Sequence, residues 1–172
     1  MCVSIVIAVN LTAEKIENFK NKIINLTAVY QYGIGIGCGN LHPECGPTIN
    51  NLMSQPNVIF ELHDLPEPHC ACDIDDDIRL GSKNGYQSKF FDFVRETLEC
   101  TEIASMSVLF FQEELPNENN VRKQLGNYED FVSLINKWST WQLGALEPTR
   151  KAYYIADASP LLYTFTWRNL AN

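Results

Sequence analysis

The run Val3-Ser4-Ile5-Val6-Ile7-Ala8-Val9 constrains the fold more than any other feature of the sequence. It is apolar on both faces of a strand, and such a strand belongs in the middle of a sheet with cover on either side. A helical pattern follows at once. Thr12 is a candidate cap, and Ile16, Phe19, Ile23 and Ile24 recur at i, i+3, i+7 and i+8.

Residues 28–38 alternate and suggest a second strand. Pro43, Pro47 and Pro56 then mark a long loop, with room for a short helical turn around Ile49–Met53. Val58, Phe60 and Leu62 alternate with Ile59, Glu61 and His63, the pattern of a half-buried strand. Residues 64–85 read as loop, from Pro66 and Pro68 through an acidic run to Gly81 and Gly85. Phe90, Phe93, Val94 and Leu98 define a helix over roughly 86–100. Met106–Gln112 is a strongly apolar strand, and Glu113–Gly126 reads as polar connection.

Asn127 is a candidate cap for a further helix with apolar face Phe131, Leu134, Ile135 and Trp138. Ala152–Ala156 and Leu161–Trp167 flank Asp157-Ala158-Ser159-Pro160 and suggest a closing hairpin. The order β-α-β-β-α-β-α-β-β predicts an α+β fold: a mixed, largely antiparallel sheet with about three helices packed on it. A ferredoxin-like core is one way to build the first six elements. With 172 residues, no internal repeat and no linker, residues 1–172 are expected to form one domain.

Thirteen Lys and Arg stand against 21 Asp and Glu, for a net charge of −8 and a pI near 4.8. Nucleic acids and anionic membranes are polyanions that want clustered cations. Here only Arg122-Lys123 and Arg150-Lys151 are adjacent, so neither partner is expected. An acidic surface keeps a protein soluble and also attracts a basic protein partner. The apolar start has no basic segment before it and no clear cleavage site after it, and it is too short to span a bilayer. The expected location is cytoplasmic, where the six cysteines would stay reduced.

All three histidines (His42, His63 and His69) and four of the six cysteines (Cys38, Cys45, Cys70 and Cys72) lie between residues 38 and 72. Thiolate and imidazole are the preferred donors for zinc, which takes four of them in a tetrahedron. Cys38, His42 and Cys45 form one group, and His63, His69, Cys70 and Cys72 a second. No CxxC pair is present, and Cys70-x-Cys72 matches no standard zinc spacing. The alternatives are ordinary structural cysteines with His63 on the polar face of a strand, or a disulfide or redox pair.

Asp73-Ile74-Asp75-Asp76-Asp77 resembles the start of a calcium loop, but Ile78 stands where glycine is required and Asn84 where glutamate is required. A solvated acidic loop is the better reading. Gly33, Gly35, Gly37 and Gly39 alternate without forming a nucleotide-binding loop. They leave one face of a strand bare, so that a ring, a ligand or another backbone can approach closely. No nucleophile elbow is present, and no spacing selects a Cys–His catalytic pair.

The expected function is therefore a non-enzymatic acidic binding protein. An inhibitor or immunity-type protein that neutralises a basic toxin has this character. Its contacts would come from Asp73, Asp75, Asp76, Asp77, Glu113 and Glu114. The alternative is a zinc-dependent or thiol enzyme built on the Cys/His cluster of residues 38–72.

Overall fold

The computed structural model describes residues 3–36, 45–53, 56–65, 71–85, 87–100, 103–112, 118–144 and 160–166. Strand β1 (Val3–Leu11) is followed by a 3-10 turn and helix α1 (Ile16–Tyr30). Next come β2 (Gly33–Ile36), α2 (Cys45–Leu52) and β3 (Val58–His63). Two helices, α3 (Cys72–Asn84) and α4 (Lys89–Leu98), lead to β4 (Ile103–Gln112). Strand β5 (Arg122–Gly126), helix α5 (Tyr128–Gly144) and strand β6 (Leu161–Phe165) complete the described elements.

The six strands form one sheet in the order β2-β3-β1-β4-β6-β5. Strand β1 is central, as its two apolar faces require. It pairs antiparallel with β3 (Ile5 opposite Leu62) and with β4 (Ile7 opposite Val108). Every pairing is antiparallel except β5 with β6, so the sheet is mixed. Strands β1 to β4 follow a split β-α-β plan, with α1 in one crossover and α3 and α4 in the other. Helix α2 and the doubled second crossover go beyond the plain ferredoxin-like plan.

The alternation of β1 divides the core. Val3, Ile5, Ile7 and Val9 meet α1 (Phe19, Ile23), α3 (Ile74, Ile78), α4 (Phe90, Phe93) and α5 (Phe131, Ile135). Val6 and Ala8 face the other way, where Leu52 and Met53 at the end of α2 pack with Leu109, Phe111 and Leu162. Phe131 anchors the first layer. Its ring lies 4.9 to 6.4 Å from those of Phe90, Phe91, Phe110, Tyr163 and Phe165. Each such buried ring contributes roughly 2–3 kcal/mol by leaving water.

Several local expectations change. Helix α1 runs on to Tyr30 and ends at Gln31 in the left-handed region (φ 59°), so the second strand begins only at Gly33; residues 37 and 38 of the expected strand are outside the described residues. The Thr12 side chain makes no capping bond; its carbonyl accepts from the Lys15 N–H instead. The residues read as a loop over 64–85 contain helix α3, and the connection after β4 contains the edge strand β5. Residues 161–165 are a strand, as expected, but it lies between β4 and β5. Residues 152–156, the other arm of the expected hairpin, are outside the described residues. Five α-helices are described where three were expected. The Asn127 cap is present: its Oδ1 accepts from the Asp130 N–H (2.8 Å), and Asp130 accepts from the Asn127 N–H (3.1 Å).

Candidate functional site

Helix α3 turns the acidic run into a surface with two sides. Ile74 and Ile78, four residues apart, are buried against the sheet. Between them Asp75 is fully buried and accepts from Nε of Arg79, itself 8 % exposed, at 3.0 Å. Arg79 also binds Asp76. The run is thus not the solvated loop expected, and Asp75 is lost from any contact surface. Asp73 is exposed, and Asp76 and Asp77 are half-buried. Glu113 and Glu114 are outside the described residues.

The helix begins where β3 ends. The backbone N–H groups of Asp73 and Ile74 donate to the two carboxylate oxygens of Asp64 at 2.8 and 3.1 Å. These are orphan donors of a first turn, and a carboxylate is the strongest partner for them. At the far end Gly85 takes φ 75° and closes the helix onto the Gly81 carbonyl. Asp77 accepts the Ser88 hydroxyl (2.6 Å), and the Ser88 oxygen caps α4 by accepting from the Phe90 N–H (3.1 Å).

A pocket of about 210 Å³ opens beside this first turn. Tyr30 at the end of α1 and Tyr32 before β2 form one wall, with rings 6.1 Å apart and stacked at 21°. Asp64, Asp73 and Asp77 supply three carboxylates, and Lys89 is the one cation among the described lining residues. Leu65, 56 % exposed, adds an apolar edge. The Tyr30 hydroxyl donates to Glu96 (2.5 Å); burial and that carboxylate push it up to about 12. Burial, together with Asp77 and its neighbours, raises Tyr32 further. Both phenols therefore stay neutral, and the negative charge of the pocket rests on its carboxylates.

The opposite face of the sheet carries a second polar group. Glu61 and His63 alternate with Leu62, which packs on the helical side, so both point to the face that carries α2. Both are buried, and so is Ser4 on β1. The Ser4 hydroxyl donates to Glu61, but burial dominates and raises the carboxyl to about 7. Gly33 and Gly35 lie directly across from His63 and Glu61 on β2. A Cβ on Gly33 would stand 3.2 Å from the His63 Cβ, so the glycine makes room for that side chain.

The expected metal donors are only partly placed. Cys72 packs on the helical side and its Sγ accepts from the Val3 N–H at 3.4 Å. His63 is on the other side, so the sheet stands between them. Cys45 begins α2. Cys38, His42, His69 and Cys70 are outside the described residues. Among the described residues no three His, Cys, Asp or Glu side chains are grouped to hold an ion. No described helix is long and apolar enough to cross a membrane.

No protein-family model, no curated protein and no solved structure matches this chain.

Proposed function

We propose that this chain is a non-enzymatic binding domain of inhibitor or immunity type. It engages a basic protein partner through the first turn of α3 and the pocket beside it. The observation that carries the reading is the pocket itself, which three carboxylates, two stacked tyrosines and one lysine line among the described residues. A guanidinium or ammonium group is attracted by the carboxylates and by the faces of aromatic rings. The surplus of negative charge over the whole chain adds long-range steering toward such a partner.

The alternative, a zinc or thiol enzyme on the Cys/His cluster, draws less support from the placed donors: of Cys45, His63 and Cys72, the last two lie on opposite faces of the sheet.

The test is kinetic. A basic partner recovered from the native host is mixed with the wild-type chain and with D73N/D76N in stopped flow at several salt concentrations. Association is expected to slow by about tenfold at low salt, with a flatter salt dependence. Equal rates and equal salt slopes would overturn the α3 surface as the contact.

A further inference from the structure

No further inference is drawn: the strongest candidate, the buried Ser4–Glu61–His63 cluster on the α2 face of the sheet, rests on the raised carboxyl of Glu61 alone.

Discussion

The carboxylate of Asp64 accepts the backbone N–H of Asp73 at 2.8 Å, so the residue that follows β3 caps a helix that begins further along the chain. Asp64 is 8 % exposed and serves a second donor, the Ile74 N–H. D64A leaves two first-turn donors without this acceptor and removes a negative charge from the positive end of α3. A loss of about 1–2 kcal/mol is expected, read from the midpoint of urea unfolding. D64N, which retains one acceptor oxygen, is expected to lose less. A midpoint unchanged in D64A would mean that α3 draws nothing from this cap.

Neighbouring aspartates of one run have separate duties. Asp75 is fully buried against Arg79, whereas the Asp76 side chain is 47 % exposed. D75A strips the buried Arg79 of the carboxylate that accepts from its Nε and is expected to cost about 3 kcal/mol. D76N weakens a partly exposed ion pair while Arg79 keeps Asp75, and is expected to cost less than about 1 kcal/mol. For association with the proposed basic partner the reverse order is expected, with D76N the variant that slows the encounter. Thermal unfolding of the two variants side by side checks the first half. Equal losses would contradict the burial of Asp75.

The strands that carry the core were legible because burial writes itself into local pattern. The two-faced apolar run of β1, Val58, Phe60 and Leu62 of β3, and the apolar stretch of β4 all reappear as buried residues, although β3 is not half-buried as its alternation suggested, since Glu61 and His63 on its other face are buried too. The Asn127 cap was legible because its partner, Asp130, is three residues away. Helix α3 was hidden by its charge. Its signals were Ile74 with Ile78 and Asp75 with Arg79, each at i, i+4, inside a run that reads as solvated. Its cap is Asp64, too distant for a local motif. Strand β5 is exposed along Lys123, Gln124 and Leu125 and carries no alternation to read; its place comes from backbone pairing with β6. The pocket joins Tyr30 and Tyr32 to residues more than 30 positions later, a juxtaposition that only the fold creates.

Glu61 makes stability depend on pH in an unusual direction. Its carboxyl has an ordinary value of 4.5 and is raised to about 7 in the folded chain by burial. The folded state therefore holds the proton more tightly than the unfolded state. The stabilisation linked to this group is complete below about pH 4.5 and is lost as pH rises through about 7. E61Q mimics the protonated form and is expected to remove that part of the decline. Urea midpoints at pH 5 and pH 8 measure it. If the difference between the two midpoints is the same in wild type and E61Q, Glu61 is not the group responsible.

Cys72 and His63 lie on opposite faces of the sheet, an arrangement that argues against a shared metal ion. Donors in a tetrahedral zinc site lie within roughly 4 Å of one another. Here the Cys72 sulfur accepts from the Val3 N–H and packs on the helical side, while His63 is directed to the face that carries α2. C72S and H63A, prepared separately, are therefore expected to include at least one variant with the zinc content of wild type. Plasma mass spectrometry against protein concentration reads that content, and circular dichroism checks that each variant is folded. Loss of zinc from both folded variants would put the two donors on a single ion and contradict their separation by the sheet. A wild-type chain that carries no zinc and whose thiols react at an ordinary rate would remove the zinc and thiol reading.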